Sequence, residues 1–245
     1  MGLEFFIFIL VTGALAGGFV NGLAGFGTGI TAMGIWLYAV SPSVAATLVI
    51  VCSLVAQLQT LPKIRHAIEL KRVIPFIVPG LIGVPLGTAL LASIDVRTFK
   101  LAIGCLLLVY ATHSLLHRSR SPIAWGGRMA DGVVGLGGGI LGGLAGLSGP
   151  LPTIWADVRG WTKDQRRSVF QVFNITICSA ALMSHFAAGL VTKELGIAVA
   201  AALPGTFAGA FLGSALYARV NDKRFKEIIL ALLGVSGIIL VWTNI

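Results

Sequence analysis

Apolar stretches of about 20 residues follow one another along almost the whole of this 245-residue chain. That is the length a helix needs to cross roughly 30 Å of hydrocarbon at 1.5 Å per residue. Charged residues make up 11% of the chain and hydrophobic ones 56%, whereas a soluble domain carries about 25% charged residues to face water. With a mean hydropathy of +0.94, the sequence specifies an all-α polytopic membrane protein whose main solvent is the lipid bilayer.

The net charge of +9 does not point to nucleic acid, because Lys and Arg sit in short connections and form no basic stripe with interleaved aromatics. They act as topology signals, and Arg166 and Arg167 are expected to anchor a helix end in that way. Cys52, Cys105 and Cys178 lie in apolar stretches without CxxC or His spacing, so buried packing is their expected role. The four histidines fall in a loop (His66) or near helix ends (His113, His117 and His185), where interfacial or packing roles suffice. No metal cluster or cofactor motif is present in the sequence pattern. Trp125, Trp155, Trp161 and Trp242 are expected at the membrane interfaces. Met1–Leu3 bring no basic n-region and Glu4 is acidic, so the first apolar segment is expected to be retained.

Internal repetition sets the organisation. Leu15-Ala16-Gly17-Gly18 and Gly22-Leu23-Ala24-Gly25 recur as Leu136-Gly137-Gly138-Gly139 and Gly143-Leu144-Ala145-Gly146, at an offset of 121. Pro79-Gly80 answers Pro204-Gly205, Gly87 answers Gly213, and Phe99-Lys100 answers Phe225-Lys226. The expectation is two halves, 1–120 and 121–245, forming one membrane domain. Each half has a Gly-interrupted segment (Leu3–Tyr38 or Met129–Trp155) followed by three plain helices. Those helices are expected over 43–61, 73–93 and 99–117, then 168–190, 195–218 and 225–244.

Charge decides between topologies. If each interrupted segment enters and returns on one side, 15 of the 18 Lys and Arg residues share a side. If each crosses once, the bias disappears. The positive-inside rule therefore predicts two half-deep re-entrant hairpins, six spans and both termini outside. Three spans per half is odd, so the repeat is inverted, the construction of many secondary transporters.

The breaks read Asn21-Gly22-Leu23-Ala24-Gly25-Phe26-Gly27-Thr28-Gly29 and Gly143-Leu144-Ala145-Gly146-Leu147-Ser148-Gly149-Pro150. Unpaired N–H groups at depth each cost several kcal/mol, and an anion is their natural partner at a helix N-terminus. Short helices are expected to begin after Thr28-Gly29 and after Ser148-Gly149. The candidate substrate-binding residues are Asn21, Gly25, Gly27, Thr28, Gly29, Gly146, Ser148, Gly149 and Pro150. The following helices add Ser53, Gln57, Gln171 and Asn174, with Thr176 a weaker candidate. Phe26, Phe170 and Phe173 are expected in core packing. Gly80, Gly83, Gly87, Gly205, Gly209 and Gly213 are expected to serve helix packing.

Gly25-Phe26-Gly27-Thr28-Gly29, the related Gly146-Leu147-Ser148-Gly149-Pro150 and the two-half layout resemble the TauE/SafE family of sulfite exporters over nearly the whole chain. The resemblance implies a transporter that moves sulfite, sulfonates, thiosulfate or related sulfur anions out across the cytoplasmic membrane. The chain departs from the family's GxGGG-type motif at Thr28 and at Leu147-Ser148, and the first half lacks the following Pro. No acidic residue is expected at the midplane as a proton relay, so the membrane potential can drive export. The alternatives are a transporter or channel for another small organic anion, or a membrane-embedded sulfur-transfer enzyme using Cys52 or Cys178. A homo-oligomer is compatible with all of them.

Overall fold

Two glycines with positive φ, Gly25 (81°) and Gly146 (66°), end long helices at the breaks that the sequence marks. The computed structural model describes residues 2–64, 68–91, 95, 97–98, 101, 104–105, 107–109, 111–112 and 125–244. Among them all regular structure is helical. The first interrupted segment forms α1 (Leu3–Ala24) and α2 (Thr28–Trp36), followed by α3 (Pro42–Ile64) and α4 (Leu70–Leu91). The second forms α5 (Gly127–Ala145) and α6 (Pro150–Val158), followed by α7 (Lys163–Ala187), α8 (Lys193–Tyr217) and α9 (Asp222–Trp242). Most of the helix expected over 99–117 lies outside the described residues, as do His66, His113 and His117.

The hairpins correct the half-deep expectation. Their arms are unequal, 22 and nine residues in the first and 19 and nine in the second. At 1.5 Å per residue α1 is long enough by itself to cross a bilayer. Among the described residues it is one of five helices with the length and hydropathy of a span, with α3, α4, α7 and α8. The short arms fold back over the long ones. Trp36, fully buried at the end of α2, donates its indole N–H to Leu10 O of α1 at 3.0 Å and fills the space that the missing Gly13 side chain leaves.

Small residues fix the helix pairs. α1 runs beside α8 and α4 beside α5, each pair in the same direction and in backbone-to-backbone contact. A methyl group at Gly209 or Gly213 would overlap the carbonyls of Leu15 or Phe19, and one at Gly83 or Gly87 those of Leu136 or Ile140. Gly139 faces Gly80 O in the same way. Lipid offers no hydrophobic drive between helices, so close approach and dispersion must supply the association. The long arm of each hairpin is thus held by a helix from the other half of the sequence.

α3 and α7 form the centre and run antiparallel. Gln171 donates to Gln57 O (2.6 Å) and Thr60 Oγ1 (2.8 Å) near one end, and His185 meets Thr47 Oγ1 (2.9 Å) near the other. α7 begins at Lys163, earlier than the expected 168, because Thr162 and Gln165 form a capping box that the Lys and Arg residues obscure in sequence. Trp125 and Trp242 are exposed. Trp155 instead donates to Asp131 Oδ1 at 2.7 Å, and Trp161 lies under the Arg72 guanidinium. Cys52 and Cys178 are buried, but Cys105 is exposed on its helix, which corrects its expected packing role.

Gly139→Ala is expected to destabilise the protein by about 1–3 kcal/mol, because the added methyl forces α4 and α5 apart. Gly196→Ala, with open space around its α-carbon, is expected to lose nothing. Thermal unfolding in detergent measures both.

Candidate functional site

The two breaks, more than 100 residues apart in sequence, meet in one small cavity. Asn21, Phe26, Gly27, Gly29 and Ile30 line it from the first hairpin, and Gly146, Leu147, Ser148, Gly149 and Pro150 from the second. Ser53 and Gln57 of α3 and Asn174 and Cys178 of α7 complete the wall. Ser53 and Asn174 lie in the central turns of their helices, so the cavity sits at the middle of the central pair. Its free space, ≈ 10 Å³, is about that of one water-sized sphere.

Asn174 ties the two breaks together. Its amide N–H donates to Gly25 O at 3.1 Å, and its carbonyl oxygen accepts a short hydrogen bond from Ser148 Oγ. The N-termini of α2 and α6 border the same space at Gly27, Gly29, Gly149 and Pro150. Neither carries a side-chain cap, whereas Thr162, Thr192 and Asn221 cap α7, α8 and α9. The N–H groups of Thr28, Gly29 and Ile30 therefore have no partner inside their helix. The α6 end is poorer in donors, since Pro150 and Pro152 remove two N–H groups from its first turn. Both ends still present the positive pole of the helix dipole.

Three candidate residues stand beside the cavity rather than in its wall. Gly25 turns its carbonyl to Asn174. Thr28, the first residue of α2 rather than the one before it, has its hydroxyl against α1, where Asn21 Nδ2 donates to it at 2.8 Å. Gln171 is spent on α3, one turn from Asn174. Thr176 bonds Val172 O within its own helix. Phe170 and Phe173 are core residues, with Phe26 packed edge-on against Phe170, but Phe26 also forms part of the cavity wall.

Arg167 overturns its expected anchoring role. It is fully buried, donates to Gly22 O (2.6 Å) and Leu23 O (3.1 Å), and lies 3.9 Å from the centre of the Tyr217 ring. Its charge thus caps the C-terminal carbonyls of α1, just where the first hairpin breaks. Arg166 pairs with Asp157 at 2.8 Å instead. The sequence does contain a signal for this difference. Arg167, Gln171, Asn174, Cys178, Ala181 and His185 are spaced four and three apart on one face of α7, and all are buried.

The sulfite exporter TauE/SafE family model matches residues 9–240. No curated protein and no solved structure matches the chain.

Arg167→Met is expected to lower stability by about 2–5 kcal/mol, since it strands two buried carbonyls. Arg166→Met, which removes the cation beside the mostly buried Asp157 carboxylate, is expected to cost a similar amount, about 3–5 kcal/mol. Denaturation in detergent measures both.

Proposed function

The chain belongs to the sulfite exporter TauE/SafE family, and on that premise we propose that it exports a small sulfur-containing anion of the sulfite, sulfonate or thiosulfate class. The anion binds between the two hairpin breaks, at the N-termini of α2 and α6. The observation that carries this reading is the meeting of two uncapped helix N-termini in one cavity at the centre of a lipid-embedded fold. Donors rather than cations would hold the ligand, which suits an anion that must also leave.

The side chains in the wall support the same chemistry. Asn21 Oδ1 is buried without a hydrogen-bond partner. A half-turn of the Asn21 amide lets Thr28 donate to its oxygen and turns its NH₂ group free. Ser148 and Asn174 add a hydroxyl and an amide at the junction of the breaks. Sulfite has four heavy atoms and exceeds the space of one water-sized sphere, so binding requires the hairpins to part. Alternating access supplies that motion: the hairpins rock against α3 and α7 around the site.

The inverted arrangement of halves 1–120 and 121–245 belongs to this proposal. It is supported by the way the long arms lie along α7: α1, antiparallel to α7, ends at Arg167, while α5, parallel to α7, ends at His185, and the chain returns from each break to Asn174 from opposite ends. In the cell membrane, with both termini outside, an inside-negative potential expels an anion with about 2.3 kcal/mol per charge per 100 mV.

Flux from proteoliposomes loaded with sulfite, thiosulfate, sulfoacetate, sulfate or a short carboxylate tests the reading. Export of at least one reduced sulfur anion or sulfonate is expected, rising with an inside-negative potential, and Asn174→Ala or Ser148→Ala should slow it about tenfold or more. Preference for the carboxylate, or full activity in both variants, would move the substrate class or the site elsewhere. Replacing Cys52, Cys105 and Cys178 together by Ala should leave flux intact; loss of activity would favour sulfur-transfer chemistry at Cys178, which lines the cavity.

A further inference from the structure

His185 is fully buried in the last turns of α7. Its Nε2 lies 2.9 Å from Gly143 O and its Nδ1 2.9 Å from Thr47 Oγ1. A carbonyl can only accept, so Nε2 carries a hydrogen. Nδ1 is different. The single Thr47 hydroxyl hydrogen has two acceptors in reach, Nδ1 and Ser43 O, both at 2.9 Å. With the hydrogen directed at Nδ1 the imidazole is neutral. With it directed at Ser43 O, Nδ1 must itself donate and the ring is an imidazolium. Both states satisfy every polar atom of the ring, and only a hydroxyl rotation separates them.

The group that Nε2 holds makes this significant. Gly143 belongs to the last turn of α5, three residues before Gly146 in the cavity wall. It is the repeat counterpart of Gly22, whose carbonyl Arg167 holds at the end of α1. Arg167 and His185 are 18 residues apart on α7, five full turns, so they share one face. One helix therefore grips the broken ends of both long arms, the first with a permanent cation and the second with a group that can become one.

We propose that His185 is a proton-binding site that controls transport: its imidazole takes a proton from water at Nδ1 and returns it there, and the charged form grips the negative end of α5 more strongly than the neutral form. The inference rests on the transport reading above. His185 acts through Gly143 as a positioning residue for the second hairpin and does not touch the anion. Burial costs the imidazolium its hydration, and the helix end and Thr47 oxygen return part of that cost. The neighbouring helices bring it Thr47 and Ser43 from α3 and Gly143 from α5, while Thr88 of α4 bonds the adjacent Ser184 at 2.9 Å. Among the described residues, the charged groups of these helices, Lys63, Lys71, Arg72, Arg128 and Asp131, lie at their opposite ends, as do those of α7 itself. Lys193 and Glu194 of α8, and Asp95 and Arg97 beyond α4, share that end of the molecule but are exposed, so protonation of His185 puts the charge inside the packed helices there. In the predicted orientation this is the outer end of the site.

Thiosulfate flux from proteoliposomes, with equal pH on both sides and no membrane potential, tests the proposal, because the charge of thiosulfate does not change near neutrality. Across pH 5–8, the range of histidine titration, the unmodified protein is expected to change its rate by roughly tenfold, and His185→Gln is expected to give a flat profile. Gln can still donate to Gly143 O but cannot become charged. The second measurement needs neither transport nor that variant. In protein carrying His66→Gln, His113→Gln and His117→Gln, the ¹⁵N spectrum of the one remaining imidazole should show Nδ1 gaining a proton as pH falls while Nε2 stays protonated. An unchanged flux profile in His185→Gln, or an imidazole that stays neutral over the whole range, would overturn the proposal. If no thiosulfate moves, the flux arm counts against the transport of that anion, and the imidazole spectrum decides the proton site.

Discussion

Backbone polar groups that a helix break releases inside a bilayer must find partners there, because no water is at hand to take them. The architecture follows from how the two breaks meet this demand. One face of α7 serves both: Arg167 takes the last carbonyls of α1, Asn174 takes Gly25 O and the Ser148 hydroxyl, and His185 takes Gly143 O. The carbonyl ends are thereby satisfied within the protein. The N–H ends of α2 and α6 are treated differently, with no side-chain cap at either. That difference fits the proposed anion site: the parts that hold the hairpins are bonded internally, and the helix N-termini that border the cavity carry no side-chain cap.

The same demand explains why glycine is used so heavily away from the breaks. The proposed rocking of the hairpins requires rigid partners to carry them, and α1–α8 and α4–α5 are joined backbone to backbone. Each such pair can move as a unit, since interfaces this close are poor at deforming gradually. α3 and α7 are joined differently, through Gln171, Thr60, His185 and Thr47, with the cavity between their central turns. Polar pairs at the ends of the central helices and glycine contacts at the flanks thus divide the molecule into a core and two carried arms.

Much of this was legible in the chain. The positions of the breaks follow from the clustering of Gly with Thr, Ser and Pro, because such residues cannot extend a helix without cost. Ser53, Gln57, Ser148 and Asn174 were recognisable because polar side chains in apolar helices stand out, and all four line the cavity. Thr28 and Gln171 stand out equally, yet they bond neighbouring helices instead. Residue type shows that a polar group needs a partner but does not say which one. Arg167 was hidden for the same reason: at the boundary of a basic loop, a buried cap and an interfacial anchor have identical sequence signatures, and one extra turn at the start of α7 separates them.

The sequence by itself determined the solvent, the helical class, the duplicated Gly-rich breaks and the family, because these depend on length, hydropathy and local backbone preference. Only the tertiary structure decided that the two breaks share one cavity, that their arms are unequal, and that Arg167 and His185 hold the ends of both long helices from one face of α7. Those outcomes depend on packing between segments far apart in sequence, 42 residues for His185 and Gly143 and 145 for Arg167 and Gly22, where close approach of backbones and the pairing of buried polar groups, rather than local propensity, select the arrangement.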